Sequence, residues 1–425
     1  MMKKSQFNYL YDLKDKIIIY NTFSKSILEM TNEEYSKFQN DDYGSAKDLL
    51  VDNGFLVEDN FNEINYLKYI HYRTRFCADV LTLTVAPTLE CNFDCPYCFE
   101  DKRKGHMSDE VKECIVEFIN EKIKKGIKKI SITWYGGEPL LQIKTIKDIL
   151  NGIMDQINKY HVEIDQFLIT NGYLLNEAVL EILKSCGIDH LQITIDGVKE
   201  NHDKRRFLRT GKGTYDVIMN NLAKMKNYEF QIDVRMNLDN ENYEDYKDLR
   251  ELISRIGNSN IRIYPAVTEK INERMEEREN IYMEGQKFKE FLANGHTDGY
   301  VDDYICEVED NRCYFCSAEL ENTYVIDELG NVYKCWDEIG RENSICFNIL
   351  HPDEIRYEAL LKYMGSDPFD EVECRECELL PICFGGCRFQ KGIGTHPVCA
   401  HTKESIDKFL DREIAGEEVL RDEAG

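Results

Sequence analysis

The sequence predicts an α/β chain: a barrel or open sheet of parallel strands, preceded by a small α+β unit and followed by a cysteine-rich region. Three observations lead there. From Val80 onward, six apolar, β-rich runs alternate with amphipathic helical segments, the rhythm of βαβ units. Residues 1–75 instead mix short strand-like and helix-like runs. After Val267 the rhythm stops, and ten of the chain's 16 cysteines crowd into the remaining residues.

Taken in order, the first unit offers "KIIIYN" and "GFLVED" as strands, with "TNEEYSKFQN" and "GSAKDLLVDNG" as helices. This is a winged-helix-like pattern with no catalytic constellation. The six strands of the central region are expected at "LTLTVAPT", "KISITWYGG", "IDQFLIT", "HLQITID", "QIDVRMNLD" and "IRIYPAV". The charged run "TEKINERMEEREN" reads as a solvated helix, because alternating charges mark an exposed face. Cys77, Cys114 and Cys186 sit singly among apolar neighbours and are expected to be buried as small hydrophobes.

Composition narrows the function. The 425 residues, 42% of them hydrophobic, are enough for large cores in two or three domains. A formal net charge of −26 repels phosphate backbones and anionic lipid, so neither nucleic acid nor a membrane is expected as a partner. No apolar run approaches the ~18–20 residues of a membrane span, and the first residues are too polar for a secretory segment. The expected location is cytoplasmic. Clustered thiols in that compartment bind metal or do redox chemistry more often than they form disulfides.

The first cluster is "TLECNFDCPYCFE", with Cys91, Cys95 and Cys98 on the loop after the first strand of the α/β region. Parallel α/β folds place their active sites at that end of a strand. Zinc would need a fourth ligand, for which His106 is the nearest candidate. Three thiolates suit a [4Fe–4S] cubane whose fourth iron is left free for another ligand. One βα unit later, "WYGGEP" brings two glycines, which permit close backbone approach, and Glu138, a carboxylate suited to a cationic amine. "ITNGYLL" and "QITIDG" end the next two strands as turn signals.

The CxxxCxxC spacing, the strand-end loop and Tyr97 before the third cysteine resemble the radical S-adenosylmethionine (radical SAM) enzymes. The resemblance implies a partial (β/α)6 TIM-like barrel in which Cys91, Cys95 and Cys98 hold a catalytic cluster. It further implies that Gly136, Gly137 and Glu138 bind the amino group of S-adenosyl-L-methionine. Tyr97, Asn171, Thr194 and Arg206 fall among the cofactor contacts, with Thr194 standing where serine is more usual.

At the C-terminal end, Cys316, Gly330 and Cys335 precede "CRECELLPICFGGC", whose Cys374, Cys377, Cys383 and Cys387 form a CxxCx5CxxxC array followed by Cys399. CxxC pairs alone suit zinc, but seven ordered thiols exceed one zinc site. The pattern resembles the SPASM extension of radical SAM enzymes that modify peptides, which implies two auxiliary [4Fe–4S] clusters and three in all. By that resemblance Cys316, Cys335 and Cys387 serve the first auxiliary cluster, and Cys374, Cys377, Cys383 and Cys399 the second. A fourth ligand to the first would be Cys313, Cys306 or the substrate itself.

The resemblance divides the chain into a leader-recognition unit at 1–75, a radical SAM barrel at 76–300 and a SPASM domain at 301–425. It implies a maturase acting on a ribosomally made precursor peptide with a leader, with a flavodoxin- or ferredoxin-type electron donor. Thioether crosslinking is the expected reaction. The alternatives are formylglycine formation in a sulfatase, carbon–carbon crosslinking and, from another class, a zinc-binding peptide adaptor without chemistry.

Overall fold

The computed structural model describes residues 1–100, 102–268, 282–283, 285–297, 301, 313–392, 399, 403, 405–411 and 413–414. The expected charged helix at 268–280, save Thr268, and Cys306 lie outside those residues. The chain divides into two compact units. One comprises residues 1–77, 306–321 and 364–425, and the other 78–305 and 322–363.

The second unit carries the six predicted strands: β6 (Val80–Val85), β7 (Lys129–Trp134), β8 (Glu163–Thr170), β9 (His190–Thr194), β10 (Gln231–Leu238) and β11 (Ile261–Val267). All pair in parallel and in sequence order, as a partial barrel requires. Helices α4 (Asp109–Lys124), α5 (Ile143–Tyr160), α6 (Glu177–Ser185), α7 (Lys199–Arg205), α8 (Tyr215–Lys224) and α9 (Asp245–Ser254) fill the connections. Ser108 caps α4 by accepting from the Val111 amide, and Val111, Ile115, Ile119 and Ile123 recur every fourth residue along its buried stripe. That stripe packs in one core with Leu81, Leu83 and Val85 of β6 and Ile130, Ile132 and Trp134 of β7. Cys114 and Cys186 are half-buried against this core.

Three strands were not anticipated: β12 (Thr323–Ile326), β13 (Asn331–Tyr333) and β14 (Phe347–Asn348). β12 adds to β6 in parallel, and β13 and β14 follow antiparallel, giving nine strands in one sheet.

The first unit holds an antiparallel sheet of β2 (Asn8–Leu13), β3 (Lys16–Asn21) and β4 (Ile27–Thr31), and a pair formed by β1 (Met2–Lys4) and β5 (Leu56–Glu58). Helices α1 (Asn32–Gln39), α2 (Lys47–Asp52) and α3 (Glu63–Arg75) accompany them. Thr31 and Glu34 close a reciprocal capping box at the start of α1. β3 is covered on both faces. Ile17 and Ile19 point into a core with Met30, Phe38, Leu50, Phe55 and Leu56, whereas Ile18 and Tyr20 pack with Tyr9, Leu379, Ile406, Phe409 and Leu410. Each such side chain contributes about 1.5–3 kcal/mol of burial. A third cluster joins Phe7 and Leu67 to Phe369, Leu380 and Phe384. Cys77, expected to be buried, is exposed, because it lies just beyond the C-cap of α3, where no core covers it.

Candidate active site

The loop after β6 bends back so that Cys91 is buried and Cys95 and Cys98 are half-buried. The Cys98 amide donates to the Cys95 carbonyl at 3.2 Å, closing the turn between the last two thiols. Residues 207–209 secure the loop: Asp94 N donates to Phe207 O at 2.9 Å and Arg209 N to Asn92 O at 3.1 Å. Burial pushes the Cys91 and Cys98 thiols up to about 12, with Glu138 adding to the first and Glu100 to the second, and raises Cys95 as well. Cys95 also lies near enough to both others to raise them. Three mutually repelling, desolvated sulfurs bind well only to a cationic centre that displaces their protons, so the donor set fits an iron–sulfur cluster.

The two glycines of "WYGGEP" have a reason that the sequence did not reveal: they let this strand end approach the cysteine loop itself. Gly136 has φ +116°, and a Cβ there would stand 2.4 Å from the Thr88 carbonyl oxygen; one on Gly137 would stand 2.4 Å from that of Glu90. The close contact lets Glu138 N donate to Glu90 O at 2.9 Å. Glu138 is completely buried. Its Oε1 accepts from Thr170 Oγ1 at 2.8 Å and Leu140 N at 3.1 Å, and its Oε2 from Asn171 N at 2.8 Å. Burial raises its carboxyl, against the pull of these donors. Asn171 in turn donates Nδ2 to Asn92 Oδ1 at 2.8 Å, with Cys91 Sγ 3.9 Å away. Glu138 and Asn171 therefore belong to the wall behind the thiols.

The opposite wall is charged. Tyr97 donates its hydroxyl to Asp196 Oδ2 and accepts from Arg206 Nη1 at 2.5 Å. Arg205 lies over the Tyr97 ring at 5.1 Å and donates to Asp239 Oδ2 at 2.5 Å. His202 of α7 holds this corner by accepting from the Asp196 amide at 3.2 Å. Arg205 Nε and Nη2 and Arg206 Nε are buried without hydrogen-bond partners. Arg205 Nε still stands 3.8 Å from Asp196 Oδ2, so the buried donors that suit an anionic ligand such as a carboxylate are Arg205 Nη2 and Arg206 Nε. Thr194 is buried at the end of β9, in register with Arg235 of β10. Asp196, Arg205 and Asp239 were not singled out from the sequence. The only available signal was the acidic residue in "TIDG" at a strand end.

The C-terminal thiols form two groups within the first unit. Cys374, Cys377, Cys383 and Cys399 lie close enough to act on one another: burial and these neighbours push Cys374 up to about 11 and raise Cys377 and Cys399. Cys316, likewise raised by burial, feels Cys387. Cys313 is placed differently. Its thiol hydrogen-bonds with Thr74, its carbonyl is 2.6 Å from His71 Nδ1, and it packs beside Phe7, Leu67 and Phe384. Cys335 belongs to the second unit, where its Sγ is 3.8 Å from Asp337 Oδ2 and hydrogen-bonds with Tyr363. Among the described residues, no three Cys, His, Asp or Glu side chains converge to hold one common metal ion.

Residues 85–253 match the family model described as the Radical SAM superfamily. A cysteine-type anaerobic sulfatase-maturating enzyme of Clostridium novyi is 26% identical over 381 residues, spanning 79% of this chain and 96% of the relative. The radical SAM cyclopropyl synthase TigE of Paramaledivibacter caminithermalis is 21% identical over 420 residues, 88% of this chain and 82% of the relative. Among solved structures, native anSMEcpe with bound AdoMet and Cp18Cys peptide matches with a TM-score of 0.62 at 18% identity, covering 81% of this chain and 99% of that one. Streptococcus suis SuiB bound to precursor peptide SuiA matches with a TM-score of 0.55 at 14% identity, covering 94% of this chain and 98% of that one. At those identities the structures share the fold.

Proposed function

We propose that this chain, a radical SAM enzyme, is a peptide maturase that joins a cysteine sulfur of a ribosomally made precursor to a carbon of an acceptor residue. When bound, a [4Fe–4S] cluster with S-adenosyl-L-methionine supplies a 5′-deoxyadenosyl radical able to take hydrogen from carbon. Cys91, Cys95 and Cys98 would hold that cluster. Glu138 would receive the methionyl amine and Arg205 and Arg206 the carboxylate, while Asn171 and Thr194 face the ribose. Tyr97 fixes Arg206, and Gly136 and Gly137 keep the two loops in contact.

The observation that carries the reading is the second thiol group, Cys374, Cys377, Cys383 and Cys399, built apart from the barrel loop. Thioether formation removes two hydrogens overall: carbon loses a hydrogen atom, the thiol loses a proton, and one electron must be accepted elsewhere. Thiols that hold two further clusters would meet that need, the other set being, by the family resemblance, Cys316, Cys335 and Cys387. The position of Cys313 against Thr74 favours a first auxiliary centre with an iron open to the substrate sulfur, which would lower its pKa and hold it in place. Residues 1–75 are assigned to leader recognition. An external flavodoxin- or ferredoxin-type protein would supply electrons. Among the described residues no helix is long and apolar enough to cross a membrane.

Formylglycine formation is the second reading, favoured by the Clostridium novyi relative, 96% of whose length is spanned. Anaerobic reconstitution followed by mass spectrometry of candidate peptides decides between them. Wild type should bind about twelve irons, or three clusters. Replacing Cys91, Cys95 and Cys98 together by alanine should end 5′-deoxyadenosine production while keeping the remaining iron. A thioether product loses two hydrogens, keeps its sulfur and resists alkylation. Formylglycine loses the sulfur, and a carbon–carbon crosslink leaves the thiol open to alkylation. A colourless zinc protein would rule out the enzyme altogether.

A further inference from the structure

We infer that Arg388 is a positioning residue for the paired thiols of Cys316 and Cys387, acting through a buried ion network with Glu319 and Arg75. The inference rests on the auxiliary-cluster reading above and adds to it residues that contribute no sulfur. Arg388 follows Cys387 directly, and Glu319 lies on the short turn whose first residue is Cys316, its amide donating to the Cys316 carbonyl at 3.0 Å. Arg388 Nε donates to Glu319 Oε1 at 3.2 Å, tying the two cysteine segments together. The pair is almost wholly buried, with Arg388 5% and Glu319 0% exposed.

The same guanidinium fixes the backbone in front of Cys387. Its Nη2 donates to Phe384 O at 3.1 Å and its Nη1 to Gly385 O at 3.4 Å. Phe384, Gly385 and Gly386 have φ of +44°, +81° and +69°, a left-handed run that is costly for phenylalanine. A Cβ at Gly385 would stand 2.9 Å from Arg388 Nη1, so a side chain there would push that head group from its place. Arg75, 2% exposed at the end of α3, completes the network. It donates to Glu319 O at 3.4 Å, Ser366 O at 3.2 Å and Met364 O at 2.6 Å.

Buried ion pairs seldom add net stability compared with apolar packing, so fold maintenance is a poor reason for this one. Glu319 stands close enough to the Cys316 thiol to act on it, and Arg388 is the cation hydrogen-bonded to that carboxylate, so losing Arg388 would leave an uncompensated negative charge beside a sulfur that must ligate as an anion. Partners behind the ligands orient them and set the potential of the centre they hold.

The test uses the full-length protein, reconstituted anaerobically, with iron content and EPR-monitored redox titration as readouts. Arg388→Gln should lower the midpoint potential of one auxiliary cluster, or cost its iron, about four of twelve. Glu319→Gln should disturb the same cluster. Arg388→Lys should recover part of the potential, because it restores charge but not the fork that reaches two carbonyls. In each variant the signal of the barrel cluster and its response to S-adenosyl-L-methionine should match wild type. Leu50→Ala, a cavity in the Phe38 core far in sequence from any thiol, should lower the melting temperature without moving a potential. Wild-type iron and potentials in both Arg388→Gln and Glu319→Gln would overturn the inference alone, as would the same potential shift in Leu50→Ala. A wild type holding only the barrel cluster would overturn the auxiliary-site reading and the inference with it.

Discussion

At Glu138 the buried carboxylate takes three hydrogen bonds from its own chain and keeps acceptor capacity for one more. Replacement by glutamine puts a donor where an acceptor is needed, at a cost of about 1–3 kcal/mol for the group left unpaired. Glu138→Gln should therefore melt earlier and bind S-adenosyl-L-methionine roughly tenfold or more weakly, as read by equilibrium dialysis of the reconstituted protein. A lower melting point with unchanged cofactor affinity would leave Glu138 as a strut only. His71 supplies a second prediction. Burial depresses it to about 4 in the fold, from an ordinary value of 6.5. The unfolded chain therefore binds the extra proton between those pH values, and stability present above pH 6.5 is lost as pH falls toward 4, by about 3 kcal/mol in all. Chemical denaturation of the iron-free protein across that range should show the slope, and His71→Gln should flatten it. The thiols and Glu138 were legible in the sequence because each sits in a contiguous motif at a strand end. Asp196, Arg205 and Asp239 were not, because their meeting around Arg205 depends on how neighbouring strand ends line up.

Elements that carry their own repeat could be read well. Each of β6 to β11 is an apolar run set off by a helix with its own stripe, so their number and order followed from the sequence. β12 to β14 are two to four residues long, and β12 finds its partner β6 some 240 positions away, which no local pattern encodes. The run "KIIIYN" was legible as a strand, yet its lack of alternation also meant that both faces would be covered. One cover comes from the far end of the chain. The contact between the β6 and β7 loops gives the prediction at this scale. In Gly137→Ala the added methyl must push the Glu90 carbonyl away, and such overpacking costs about 1–3 kcal/mol. Because Cys91 follows Glu90 directly, the variant should lose iron from the barrel site while retaining the rest, as iron analysis and the EPR response to the cofactor would report.

At the scale of the whole molecule, residues 1–77 are built into the unit that carries the C-terminal thiols, sharing two apolar clusters with residues 369–410. Deleting them would strip cover from Leu379, Leu380, Phe384 and Phe409. The truncated chain should keep the barrel cluster and uncoupled cofactor cleavage, but lose auxiliary iron and all processing of leader-bearing peptide. Full auxiliary iron in the truncated protein would make the N-terminal segment a detachable recognition element. The discontinuity of this unit also orders events during biosynthesis. Tyr9 meets Asp407 across 398 positions, and Ile18 waits for Phe409. For a chain of 425 residues, a ribosome adding roughly 5–20 residues per second needs about 20–80 s. β2 and β3 thus stay partly uncovered until residues near 409 have been made, and the Cys374 group, which shares their unit, gains its full apolar surroundings only then.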